Sequence, residues 1–414
     1  MMKIESKIRF NNSKIDWQQV KFKNLLNSEE GIRRGPFGSA LKKELFVQNS
    51  EYVVYEQQNA IYDHFNTRYR ISEEKYHELK KFILLPGDFI MSGAGTIGKI
   101  SLVPEGIEKG VFNQALIRLR VNKNIDKGFF LQWMRSPEMQ NKLTKANPAS
   151  AMVNLVPMSE VKEWDVIIPS PDEQSAIGFL FRTLDNLLAN YKDNLVNYQS
   201  LKASMLSKMF PKAGQTVPEI RLDGFKGEWE LIKLGDFCDL ITKGTTGKSQ
   251  SEQGKVNFVK VENLKDNEIY PVVKISEEEH LGSLKRSILY EGDVLFSIAG
   301  TLGRTAIVRN NILPANTNQA LAIIRGYKLD AYFLLVVLSG EVVKDYIRKN
   351  PTVGAQPNLS LEQVSSLKIK IPSIEEQQAI GAYFSNIDNL INSHQEKITQ
   401  LETLKKKLLQ DMFI

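Results

Sequence analysis

Residues 93–99 read GAGTIGK, and glycines ending in a lysine at that spacing open the kind of loop whose backbone N–H groups cradle nucleotide phosphates. That chemistry needs a Ser or Thr next, to hold magnesium, and then a helix. Ile100 stands there instead, and the residues after it read as a strand. Further along, the turn returns as IAGTLGRT, with Ile298 for the first glycine and Arg304 for the lysine. Nucleotide binding is therefore rejected, and two readings stay open. Thr96 with Lys99, and Thr301 with Arg304, could join backbone N–H groups in holding a nucleic-acid phosphate. Equally, each stretch could be a tight β-turn ending in an exposed cation.

The other reactive residue types form no constellation. His64, His77, His280 and His394 lack the mutual spacing and the cysteine partners of a metal site. Cys238 is the single cysteine, has no activating neighbour, and points to a reducing cytosol. There is no GxSxG. Glu73 and Lys75 make a triplet that any lysine-rich chain contains by chance. Asn147-Pro148 and Asn350-Pro351 lack the second proline and the aromatic residue of an amino-methyltransferase site. The chain reads as a binder without an active site or cofactor of its own.

With 414 residues, 42% of them hydrophobic and 25% charged, the chain has material for two or more domains with sizeable cores. A net charge of +6 suits a polyanionic partner. The opening MMKIESKIRF has no signal-peptide core, and the longest apolar run, Tyr332 to Leu338, is far too short for a membrane span. A cytoplasmic protein is expected.

The elements that must hold these residues are duplicated. PGDFIMSGAGTIGKISLVPEGIEKGVFNQALIRLRV at 86–121 returns as EGDVLFSIAGTLGRTAIVRNNILPANTNQALAIIRG at 291–326. IPSPDEQSAIG at 168–178 returns as IPSIEEQQAIG at 371–381, and Ile8, Arg9 and Trp17 match Ile220, Arg221 and Trp229. Such a repeat is too long for a solenoid unit and has the size of a domain plus connector.

After each IPSxxEQ the apolar residues fall at a strict 4-3 spacing. In the first copy they are Ile177, Phe181, Leu184, Leu188, Tyr191, Leu195, Tyr198, Lys202, Met205 and Met209; in the second, Ile380, Phe384, Ile387, Ile391, His394, Ile398, Leu401, Lys405, Leu408 and Met412. A seam of that regularity is a coiled-coil signature, and the matching lysines Lys202 and Lys405 suit a register-fixing role. Pro171 and Pro372 precede acidic pairs that favour a helix N-terminus. The helical stretches carry no positive surplus, so the basic excess lies in the globular parts.

The fold expected is α+β: two globular mixed α/β parts alternating with two long helices, in an internal pseudo-twofold repeat. The boundaries read as 1–170, a helix over 171–210, a Pro- and Gly-rich connector over 211–228, a second globular part over 229–372, and a helix over 373–414. Strands are expected at Glu51–Tyr55, Phe89–Ser92, Ala115–Val121, Asn257–Val261, Val294–Ile298 and Ala320–Arg325. Helices after Asp126 and Asp330 should bury Phe129, Phe130, Leu131 and Trp133, and Tyr332, Phe333, Leu334 and Leu335.

The order GDxxxSxAGTxG[K/R], NQAL, IPSxxEQxxIG, heptad helix ending in KMF or DMF, then PKAGQTVPEIRLDGFKGEW and the series again, resembles the specificity subunits of type I restriction-modification systems over essentially the whole chain. The resemblance implies that each globular part is a target-recognition domain and that the helices pack antiparallel as a coiled-coil spacer. It implies a bipartite, asymmetric site on double-stranded DNA. It also implies two modification subunits, which bind S-adenosylmethionine and methylate adenine, and motor-nuclease restriction subunits that use ATP and magnesium. Half-sites read from one face of B-DNA lie about 34 Å apart, and a helix of roughly 38 residues spans about 57 Å.

Positions common to both copies cannot encode two different half-sites, so Asn113-Gln114 and Asn318-Gln319 read as framework. Base readers are expected where the copies diverge, over about 30–85 and 240–290. Candidates are Arg33, Arg34, Lys42, Lys43, Gln57, Gln58, Asn59, Arg68 and Arg70, and Lys243, Thr245, Thr246, Lys248, Lys260 and Asn263. Ser150, Asn154, Gln356 and Asn358, in the loops before the helices, join them. The competing reading is a non-enzymatic coiled-coil scaffold whose duplicated domains bind protein.

Overall fold

The apolar runs bounded by Gly, Asp and Pro form strands where the sequence places them. The structure is a computed structural model that describes residues 8–9, 17–94, 96–144, 157–247, 254–271, 273–350 and 358–413. Contacts divide the chain into two units, one of residues 1–191 with 397–414 and one of residues 192–396.

In the first unit a four-stranded antiparallel sheet runs in the order Ile32–Arg34, Leu116–Leu119, Phe89–Ser92, Ile100–Leu102. Its central strand Phe89–Ser92 is buried throughout, as a continuous apolar run requires. Phe89 and Met91 face the helix Lys127–Arg135, with Phe129, Phe130 and Trp133 in the same core. Ile90 faces the other way, into a core shared with Val53, Tyr55 and Phe112 of a second sheet. That sheet is ordered Phe46–Val47, Tyr69–Ile71, Tyr52–Tyr55, Gly110–Phe112, its last pair parallel. Gln18–Lys21 pairs separately with Asp165–Ile168.

The second unit repeats this plan. Its four-stranded sheet is Leu240–Lys243, Leu321–Arg325, Val294–Ser297, Thr305–Ile307, and its second sheet is Val273–Ile275, Val256–Val259, Ala315–Thr317 with the last pair again parallel. It adds a hairpin, Leu264–Lys265 with Glu268–Ile269, turned by Asp266 and Asn267 at φ 52° and 62°. Left-handed backbone at both central residues is what a tight hairpin demands, and Asp and Asn tolerate it.

The long helices are Pro171–Lys208 and Ile374–Asp411. Every residue of the expected seam, Leu184, Leu188, Tyr191, Leu195, Tyr198, Lys202, Ile387, Ile391, His394, Ile398, Leu401 and Lys405, is buried or half-buried. Each helix contributes to both units. Within the first unit Phe181 lies against Phe413 and Asp185 against Lys405; within the second, Tyr198 lies against His394 and Lys202 against Asp388. In both, the helix segments run antiparallel.

A second stripe on each helix anchors the domain beside it. Gln174 Oε1 accepts from the backbone N–H of Asp126 at 3.2 Å, and Gln377 Oε1 from that of Asp330 at 3.1 Å. Asp126 and Asp330 cap their helices through the N–H groups of Phe129 and Phe333, both at 2.8 Å. One turn on, Gly178 and Gly381 let that cap approach, for a Cβ there would stand 2.1 Å from Asp126 Oδ1 and 2.3 Å from Asp330 Oδ1.

Candidate nucleic-acid interface

In each unit the glycine-rich turn leaves the central strand and feeds straight into another, Ile100–Leu102 or Thr305–Ile307, where a phosphate-cradling loop would feed a helix. The turn is closed from inside. Ser92 Oγ accepts from the Lys99 N–H at 3.0 Å, and Ser297 Oγ from the Arg304 N–H at 2.7 Å. Thr96, Lys99, Thr301 and Arg304 are left exposed at its rim.

Against that turn sits a short element capped by an asparagine. Asn59 Oδ1 accepts from the Glu56 N–H at 2.7 Å, and Asn263 Oδ1 from the Lys260 N–H at 2.8 Å. Gln57 donates to the carbonyl of Ala94, and the Arg304 guanidinium to those of Val261 and Leu264 at 3.3 and 3.4 Å. The structure thus brings Gln57 together with the Thr96–Lys99 turn, and the Lys260–Asn263 element with Arg304.

Two expectations are corrected here. Asn59 is fully buried, and its amide also donates to the carbonyls of His64 and Asn66, both at 2.9 Å. Asn263 is 5% exposed and spends its oxygen on the same cap. The Asn59 amide is fully engaged within the fold, and the Asn263 oxygen is engaged in the same way; the side chains of Asn113 and Asn318 likewise accept from the N–H groups of Ala115 and Ala320.

The remaining candidates divide by exposure. Arg34, Lys42, Lys43, Lys243, Thr246 and Asn358 are exposed; Gln58, Thr245 and Lys260 are half-buried. Arg68 is exposed but forked on Glu56 at 2.8 and 3.1 Å, and Arg70 holds Glu108 at 2.8 Å and the Ser50 carbonyl at 2.6 Å. Ser150, Asn154, Lys248 and Gln356 lie outside the described residues.

Sequence reasoning missed a charged cluster beneath Arg33. In both units a buried aspartate grips an arginine with two bonds: Asp88 with Arg120 at 2.6 and 2.8 Å, Asp293 with Arg325 at 2.7 and 2.6 Å. The identical GD and Arg of the repeat were the available signal. The first unit alone adds Arg118, 2% exposed, whose guanidinium donates to the carbonyls of Ile83 at 3.2 Å and Glu30 at 3.4 Å. Burial, then the neighbouring Arg120, push its pKa down from the usual arginine value. Two exposed aromatics also escaped notice, Phe37 at 90% and Tyr62 at 71%. Phe37 lies just beyond Arg33 and Arg34 in the chain, a position from which a ring can stack on a base.

Burial, with Asp239 beside it, pushes the Cys238 thiol up to about 11, so it is protonated at neutral pH. Among the described residues no cluster of three His, Cys, Asp or Glu could hold a metal ion, and no helix is long and apolar enough to cross a membrane.

A duplicated two-sheet domain, each copy anchored on a long heptad helix and presenting cations around a glycine turn, defines a class of tandem recognition protein. The type I restriction modification DNA specificity domain matches residues 14–198 and again 226–403, and the chain belongs to that family. It is 22% identical over 312 residues to the type I restriction enzyme MjaVIII specificity subunit of Methanocaldococcus jannaschii, covering 73% of each chain. It is 24% identical over 332 residues to the EcoBI specificity subunit of Escherichia coli, covering 71% of this chain and 67% of that one. The crystal structure of a type I restriction-modification S subunit from M. genitalium shares the fold at TM-score 0.62, with 17% identity and 99% of both chains covered.

Proposed function

We propose that the chain reads a two-part, asymmetric sequence on double-stranded DNA, one part per recognition domain, and carries no active site. The observation that supports this most is that the two units share one framework and differ in the polar residues set on it. Lys99 and Arg304, with the N–H groups and hydroxyls of their turns, serve as phosphate contacts common to both domains. Arg33, Arg34, Lys42, Lys43 and Gln57 in one unit, and Lys243, Thr245 and Thr246 in the other, supply what differs.

Two modification subunits dock on the long helices, where Leu187 and Leu390, and Leu201 and Leu404, recur in both copies as exposed leucines. S-adenosylmethionine belongs to those subunits, and ATP with magnesium to motor-nuclease subunits of the full assembly. The protein works in the cytoplasm. Mixed with its modification subunits, the chain should retain duplex DNA with an affinity that falls steeply with salt and depends on sequence. Failure to retain duplex DNA in a salt- and sequence-dependent way would favour the protein-binding scaffold.

A further inference from the structure

At one cross-strand position of the framework the first unit carries a pair of arginines and the second does not. In the first, Arg33 on the edge strand lies directly opposite Arg118 on the next strand. In the second, the same cross-strand pair is Thr242 and Ile323. Opposed residues of an antiparallel pair share a face, with Cβ atoms about 5 Å apart, and like charges placed so repel. Arginine cannot escape by losing its proton.

Arg118 is the member that cannot move. It is enclosed between the two sheets, its two terminal nitrogens held by the Ile83 and Glu30 carbonyls while its Nε is buried without an acceptor, with the Phe112 ring centroid 6.0 Å from its guanidinium carbon. Glu30, the nearby carboxylate, is already taken by Arg120 and lies 3.5 Å from Arg118. Asp88 is spent on Arg120. Arg33 is left over: among the described residues it has no carboxylate partner, and its Nε is buried without an acceptor. The fold bears the cost of a part-buried charge and gives it no internal partner.

We infer that Arg118 is a positioning residue: it directs the Arg33 guanidinium outward onto a guanine of the first half-site, a contact the second domain does not make. Guanine O6 and N7 form the acceptor pair that matches the arginine fork. A base contact is favoured over a phosphate contact because phosphate binding is served by the turns both units share, whereas this pair exists in one unit only. The inference rests on the DNA-reading function proposed above.

The test uses the full chain assembled with its modification subunits and reads methylated adenines across a genome. R33A should relax one guanine of the first half-site, cutting discrimination there by about 5- to 150-fold and leaving the second half-site unchanged. R118I, which installs the residue of the second unit, should relax that same base in the assembled complex, even where the loss of its bonds to the Ile83 and Glu30 carbonyls lowers the thermal unfolding temperature. R118K keeps the charge and should keep the guanine preference. The inference is overturned if R33A weakens methylation evenly on all sequences, as loss of a phosphate contact would, if R118I lowers overall yield with the motif intact, or if R118K behaves as R118I does. A wild-type complex that gave no two-part motif would instead refute the DNA-reading function itself.

Discussion

Lys405 Nζ lies 2.5 Å from Asp185 Oδ1, and Lys202 meets Asp388 in the equivalent way, so each seam lysine is answered by an aspartate of the opposite helix. The aspartates do more than neutralise. Asp185 also accepts from Gln132 at 3.4 Å, and Asp388 from Asn267 of the hairpin at 3.3 Å, so one carboxylate ties both helices to a recognition domain. The surroundings differ, with the Asp388 side chain 7% exposed and that of Asp185 37%. Lys202→Ala therefore strands a buried carboxylate and should cost about 3 kcal/mol. Lys405→Ala leaves a carboxylate that water can reach, and should cost about 1 kcal/mol or less. Urea midpoints of the two variants check the order; equal losses would contradict it.

The anchoring glycines give a sharper case. A methyl at Gly178 or Gly381 collides with the capping carboxylate of Asp126 or Asp330, which has no free direction because it holds the first turn of its own helix. Gly178→Ala and Gly381→Ala should each destabilise by about 2–4 kcal/mol, from overpacking and a lost cap. Ser175→Ala, exposed on the same helix, should change stability by less than about 0.5 kcal/mol. Thermal melts of the three variants separate the two outcomes.

Asn59 tests the distinction between frame and reader. Asn59→Ala leaves the Glu56 N–H and two carbonyls without partners, a loss of about 2–3 kcal/mol. Melting should show that loss, while the methylated motif of the surviving complex stays the same. A changed base preference would restore Asn59 to the readers.

Much of this architecture is legible in the sequence, because the repeat displays it twice. The 4-3 spacing from Ile177 to Met209 and from Ile380 to Met412 marks the helices, and burial follows it residue by residue. The strand at Phe89–Ser92 follows from an apolar run between Gly-Asp and a glycine turn. What escaped are contacts between residues far apart in the chain. Lys202 and Asp388 are 186 positions apart, and Asp388 lies outside the apolar seam, so periodicity gives no hint of their meeting. Gln57, Gln58 and Asn59 look alike as adjacent amides, yet the helix turns only Asn59 inward. Arg118 is not singled out by local sequence, because the covering of both faces of its strand is a tertiary fact.

The central claim is a division of labour, one recognition domain per half-site. Its most direct test is to assemble the chain with its modification subunits, map methylated adenines genome-wide, and repeat the map after replacing residues 1–150 with another recognition domain. A non-palindromic motif in two parts with an unread gap is predicted, with only one part changed by the replacement. A motif that changed in both parts, or an uninterrupted one, would contradict the account.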